Sequence, residues 1–141
     1  MNDRAEILVI ASDPETRKAL SSILQTEGLK SVQASQLSEG RALLASQQVG
    51  MVFCERHLAD GSYLDLLPAA QTNKSGNVPV VVTSRLADWD EYLEALRHGA
   101  VDLIASPCKK SDVTSALAQV RQGKATDGTN TADPTLRALT A

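Results

Sequence analysis

Short apolar runs recur along the chain at Ile7 to Ile10, Met51 to Cys54, Val80 to Val82 and Val101 to Ile104, with helix-length segments between them. Apolar strands alternating with helices predict βαβ units and a parallel sheet buried on both faces. The stretch Ser31 to Ala34 is polar and apolar by turns, the pattern of an edge strand with one side in water. Helix boundaries carry their own signals. Asp13 before Pro14 reads as an N-cap followed by proline at the first helical position. Ala19, Leu20, Ile23 and Leu24 then form one apolar stripe that stops at Gly28.

A second helix is predicted over about Ser38 to Gln48, around Leu43 and Leu44. The third is less regular: Pro68 falls inside the pattern Tyr63, Leu64, Leu66, Leu67 and removes a backbone donor, so this helix is expected to start late or to kink. Asp88, with Glu91 three residues later, resembles a capping box ahead of Trp89, Tyr92, Leu93 and Leu96, and Gly99 closes that helix. Ser111, Val113, Leu117 and Val120 mark a last helix ending near Gly123. The stretch that follows is rich in Thr, Asp, Gly and Ala, with only Leu136 and Leu139 as apolar anchors. The expected organisation is therefore one domain over residues 1–123 and a flexible tail over 124–141. In a doubly wound sheet, functional groups gather beyond the carboxyl ends of the strands. Those places are Ala11 to Asp13, Glu55 to Gly61, Ser84 to Ala87 and Ser106 to Cys108.

Composition narrows the function. Fourteen basic residues stand against 17 acidic ones, and no basic stripe is interleaved with aromatics, which argues against nucleic acid as a direct ligand. No apolar stretch approaches the roughly 20 residues that span a bilayer, so no membrane partner is expected and the expected location is cytoplasmic. Cys54 and Cys108 have neither metal-ligand spacing nor the density of a disulfide scaffold, and read as reduced structural thiols.

Taken together, ILVIASDPETRKAL, MVFCERHLADGSYLDLL, PVVVTSRLADWDEYLEALRHGAVDLIASP and the closing helix resemble the response-regulator receiver family over about residues 5–123. The proline-capped first helix, the Asp-Gly after the third strand and the Gly-Ala-x-Asp before the fifth carry the resemblance. It implies a flavodoxin-like fold: a five-stranded parallel sheet of order 2-1-3-4-5, doubly wound, with helices on both faces. Family members hold Mg²⁺ with an acidic pair directly after the first strand, and those positions here are Ala11 and Ser12. The neighbouring acid, Asp13, is better explained as a helix cap. The phosphate-accepting aspartate of the family is matched by Glu55, its Ser/Thr switch by Ser84, its lysine by Ser106 and its aromatic switch residue by Leu103.

These replacements change what the site can do. Mg²⁺ takes near-octahedral oxygen ligands, with one or two carboxylates beside phosphate oxygens. Phosphoryl transfer relies on cations that neutralise the transferring group. Losing the acidic pair and the lysine removes most of that field, so magnesium binding is expected to be weak or absent, with little acyl-phosphate formed. Glutamate carries its carboxylate about 1.5 Å further out than aspartate. Glu55 thus either holds a permanently switched arrangement with Ser84 or is a tolerated acid at a strand end. Arg56 or Arg85 could supply the missing cation, and either could equally be a solvated surface charge.

The expected function is a two-component-like signalling module, not an enzyme, that acts through protein contacts independently of phosphorylation. The alternative is a weak phospho-acceptor in a phosphorelay. Expected partners are a sensor kinase, an output protein or a second copy in a homodimer. In the family the face of the fourth helix, fifth strand and fifth helix is the usual output surface, and here that helix carries Trp89, Tyr92 and Arg97. These are interface anchors if they project outward, and core residues if they do not. A cysteine-dependent enzyme would use Cys54 with His57, but Cys54 lies in an apolar run without a glycine-rich elbow or oxyanion donors. A bound-nucleotide site would share the topology, yet the loop ASDPET lacks a phosphate cradle. His98, just before Gly99, suits a helix C-terminus better than a ligand role.

Overall fold

The structure, a computed structural model, describes residues 6–73 and 76–126, with side chains described as far as residue 120. In chain order its elements are β1 (Glu6–Ile10), α1 (Pro14–Thr26), β2 (Ser31–Ala34), α2 (Leu37–Ser46), β3 (Val49–Glu55), β4 (His57–Leu58), β5 (Gly61–Ser62), α3 (Tyr63–Gln71), β6 (Val80–Ser84), α4 (Trp89–Arg97), β7 (Asp102–Ala105) and α5 (Lys110–Thr126). Five strands form one sheet in the order β2-β1-β3-β6-β7, all neighbours parallel. Counting those strands alone, this is the expected 2-1-3-4-5 order. The expectations did not include β4 and β5, a small antiparallel hairpin pairing His57 with Ser62 and Leu58 with Gly61.

Because successive strand residues face opposite sides, each strand feeds two cores. Leu8, Ile10, Val52, Cys54, Val80 and Val82 pack with α2, α3 and α4 through Leu44, Tyr63, Leu66 and Ala95. Ile7, Val9, Phe53 and Val81 pack on the other side with Leu20 and Leu24 of α1 and Val113 and Leu117 of α5. Each large aliphatic buried in this way contributes about 1.5–3 kcal/mol. Strand β2 is a half-exposed edge, as its alternating pattern predicts. Helix α2 rides close on β1: a Cβ at Gly40 would lie 2.4 Å from Ile10 Cδ1.

Several boundaries differ from expectation. Helix α3 does not start late; Ser62 and Asp65 form a reciprocal capping box that fixes its start at Tyr63, and the helix continues through Pro68. Helix α5 runs past Gly123 to Thr126. The tail expected beyond it lies, from residue 127 onward, outside the described residues. Helix α2 and strand β3 each begin one or two residues earlier than their apolar patterns suggest, at Leu37 and Val49. No helix among the described residues is long and apolar enough to cross a membrane.

Candidate functional site at the carboxyl ends of the strands

The topology brings the ends of β1, β3 and β6 to a cleft of about 440 Å³ lined by Ser12, Glu55, Arg56, His57, Ser84 and Arg85 among others. Glu55 is partly buried at the end of β3. Its Oε1 accepts from both the backbone N–H and the Oγ of Ser12, each at 2.9 Å. Ser12 thus meets the carboxylate as a donor through both backbone and side chain. The loop that carries Ser12 is clamped by Arg17, whose Nη1 donates to the carbonyls of Ala11 at 2.5 Å and Ser12 at 3.2 Å.

Asp13 is the N-cap of α1. Its two carboxylate oxygens accept from the Glu15 N–H and the Thr16 hydroxyl, each at 3.1 Å. Arg85, well exposed, lies 3.8 Å from Asp13 and does not act as a cation on Glu55. Arg56 does not pair with Glu55 either. Its guanidinium lies 3.4 Å from Glu91 and 3.6 Å from Glu94, both on α4, and 2.8 Å from Nε2 of His57.

Ser84 does not join Glu55. Its Oγ donates to Oε1 of Glu91 at 2.5 Å, and the same Oε1 accepts from the Ala87 N–H at 3.0 Å. The capping box suggested by Asp88 and Glu91 is therefore only half made. Asp88 accepts from the Glu91 N–H at 2.9 Å, but the Glu91 carboxylate turns inward to the end of β6. Beside this cluster the Tyr63 hydroxyl is buried without a hydrogen-bond partner. Burial, and then the charge of Glu94, push its ionisation upward.

The other two residues that the resemblance singled out, Leu103 and Ser106, are buried. Leu103 is 8% exposed and Ser106 is 8% exposed, with the Ser106 N–H donating to the Ser84 carbonyl at 2.9 Å and a cis peptide joining Ser106 to Pro107. Leu103 forms part of a second concavity of about 410 Å³, lined also by Trp89, Tyr92, Asp88, Asp102 and Asp112. Trp89 projects outward, 54% exposed, and stacks on the partly buried Tyr92 with ring centroids 5.5 Å apart. Arg97 is exposed at the opposite end of α4 and does not line that groove.

Cys54 and His57 do not converge. Cys54 is fully buried, its Sγ donates to the Glu55 carbonyl at 3.4 Å, and burial followed by the charge of Glu55 drives its thiol far above the ordinary range. His57 is exposed on the Arg56 side. Cys108 is pushed up to about 11 by burial and then by Asp112. His98 is the C-cap of α4, with Nδ1 2.9 Å from the Glu94 carbonyl.

Two residues escaped the sequence reading. Asp60 caps α2 from the turn between β4 and β5, accepting from the N–H groups of Leu37 at 2.8 Å and Ser38 at 3.0 Å. Those two donors, Leu37 foremost, hold its carboxyl below the usual range. The Asp-Gly pair announced a turn, but nothing local points to a helix 22 or 23 residues upstream. Glu91 announced only a cap.

The model of the response regulator receiver domain matches residues 7–118. The response regulator protein PilR of Pseudomonas aeruginosa is 29% identical over 104 residues, covering 74% of this chain and 23% of that protein. The alginate biosynthesis transcriptional regulatory protein AlgB of the same organism is 27% identical over 122 residues, covering 84% of this chain and 27% of its own length. The chain spans about a quarter of the length of these two relatives. Among solved structures, the signal receiver domain of a putative Luxo repressor protein from Vibrio parahaemolyticus superposes with a TM-score of 0.76 at 14% identity, over 88% of this chain and 95% of that one. A CheY-like receiver domain protein from Methanospirillum hungatei JF-1 gives a TM-score of 0.73 at 19% identity, over 85% and 96% of the two chains. Sheet order, helix placement and a family match over most of the chain agree: the protein belongs to the response-regulator receiver family of two-component signalling.

Proposed function

We propose that this receiver domain signals through protein contacts and does so independently of phosphorylation. One observation carries the reading: the carboxylate at the acceptor position, Glu55, is already hydrogen-bonded by Ser12, at the place where a family member would hold its metal. The donor set does not fit magnesium. Ala11 offers no ligand atom in its side chain, Ser12 is turned to Glu55 as a donor, and both oxygens of Asp13 serve the start of α1. Nor does a lysine reach the cleft from β7, since Ser106 stands at that position. A phosphoryl group there would meet the carboxylates of Glu55 and Glu91 without the ion that offsets such repulsion.

The proposed output surface is the groove beside α4, β7 and the start of α5, where the exposed Trp89 stacks on Tyr92. Aromatic anchors of this kind dominate protein interfaces. A sensor kinase, an output protein or a second copy of the chain would engage it, and no chemistry of its own is assigned to the domain.

The test is titration with beryllofluoride and Mg²⁺, read by emission of Trp89, the only tryptophan, and by calorimetry. No heat and no spectral change are expected. A saturable response that disappears in Glu55→Gln would make the domain a working phospho-acceptor and overturn the reading.

A further inference from the structure

The buried acid of α4 sits between the cleft at the strand ends and the groove beside Trp89 and Tyr92. Glu91 is 8% exposed and uses both carboxylate oxygens. Oε1 accepts from the Ser84 hydroxyl of β6 at 2.5 Å and from the Ala87 N–H at 3.0 Å, while Oε2 lies 3.4 Å from the guanidinium of Arg56 at the end of β3. One side chain thereby joins two strand ends and the β6–α4 loop to the first turn of α4. The loop needs that anchor: Ala87 has φ of 47°, a left-handed conformation that costs a residue with a Cβ, and its N–H is directed at Glu91 and, at 3.2 Å, at the Ser84 Oγ.

The helix geometry carries the constraint outward. Glu91 and Ala95, four residues apart, face the core, whereas Trp89 and Tyr92, three apart, stack on one another next to the groove. Ser84 is the residue whose hydroxyl would otherwise be free to follow a group attached at the acceptor position. Here the hydroxyl is already committed to a carboxylate of the protein itself.

We propose that Glu91 is a positioning residue: an internal hydrogen-bond acceptor that latches Ser84 and the β6–α4 loop, and so holds the Trp89–Tyr92 surface in one arrangement whatever occupies the cleft beside Glu55. The last clause rests on the phosphorylation-independent reading; the latch itself rests on the contacts of Glu91.

The experiment follows the exchange of the Ala87 amide by NMR, with Trp89 emission alongside, in the full chain. Glu91→Ala should accelerate Ala87 exchange about tenfold, the effect of losing one or two hydrogen bonds, and shift Trp89 emission. The amides of Val81 and Val82 in the sheet, which open only with the whole fold, should report the global loss of stability separately and stay far better protected than Ala87. Adding Ser84→Ala to Glu91→Ala should accelerate Ala87 by far less than Ser84→Ala does alone, because the two groups form one unit. Glu91→Gln, which keeps an acceptor oxygen, should restore most of the protection. If Glu91→Ala does not fold, Glu91→Met, which fills a similar volume without an acceptor oxygen, carries the test against Glu91→Gln: the first should open Ala87 and the second leave it protected. Ala87 exchange unchanged in Glu91→Ala, or faster only in step with Val81 and Val82, would overturn the latch. A saturable beryllofluoride response in the wild type with Ala87 still protected would overturn the reading of Glu55 instead and leave the latch standing.

Discussion

Glu55 and Glu91 line the same cleft and are held in different ways. Glu55 stands at the end of β3, is partly exposed, and its hydrogen bonds come from Ser12 alone among the described side-chain contacts. Glu91 stands in the first turn of α4, is buried and gathers Ser84, Ala87 and Arg56. The difference teaches where the electrostatic weight of this receiver lies. A carboxylate in water is solvated whether or not a protein donor reaches it, whereas a buried one must be satisfied by the protein. The fold therefore depends on Glu91 far more than on Glu55.

Stability measurements can break that comparison. Glu91→Ala should lower the unfolding free energy by about 2–4 kcal/mol, since it leaves the Ser84 hydroxyl, the Ala87 amide and the Arg56 guanidinium short of a partner. Glu55→Ala should cost less than about 1 kcal/mol, the scale of a hydrogen bond that water can replace. Urea unfolding of the two variants decides it; equal losses would mean that the end of β3 is as much a structural centre as α4.

A third acid sharpens the contrast. Asp60 is exposed, but the N–H groups of Leu37 and Ser38 hold its carboxyl below the usual range. A group whose folded pKa lies below its unfolded value, about 3.9 for aspartate, stabilises the fold above that value and loses the contribution as pH falls through the folded one. Asp60→Asn should therefore weaken the protein at neutral pH and flatten the loss of stability below about pH 4. Denaturation midpoints across pH 2–7 check this, and an acid limb as steep as wild type would show that the cap of α2 does not titrate with the fold.

Much of this architecture was legible in the chain, because it rests on period and punctuation. The fully apolar strands, the alternating edge at Ser31 to Ala34 and the Asp13–Pro14 start each follow from local residue types, and the family match supplied the sheet order. What was not legible is long-range. Asp60 serves a helix that precedes it by more than 20 residues, through contacts that only the folded sheet creates. The pairing of Glu55 with Ser12 spans 43 residues and stands in place of the Ser84 partnership that was one of the two readings of Glu55. Glu91 misled for a subtler reason. A capping box predicts that the third-position carboxylate turns back to the cap; here Ser84 and Arg56 supply a more buried and more charged alternative, and the carboxylate took it. The weakness expected at Pro68 was outweighed by the box at Ser62 and Asp65, which settles the start of α3 before the proline is reached.

The smallest expected effect tests the outer face of the same helix. Trp89 is 54% exposed, and its packing partner is one ring, Tyr92, at 5.5 Å. Trp89→Ala should change stability by about 0.5 kcal/mol or less, the low end for an aromatic pair in water. Tyr92 also packs against the core, so Tyr92→Ala should cost about 1–2 kcal/mol, an ordinary value for a partly buried truncation. The order Glu91, Tyr92, Trp89 would then run from the inside of α4 to the outside. That is the gradient expected if the helix is anchored by its buried acid and its outermost ring is left for a partner. Should Trp89→Ala cost as much as Glu91→Ala in the same urea series, α4 would instead be held by its aromatic pair, and the ring would have to be counted as part of the fold.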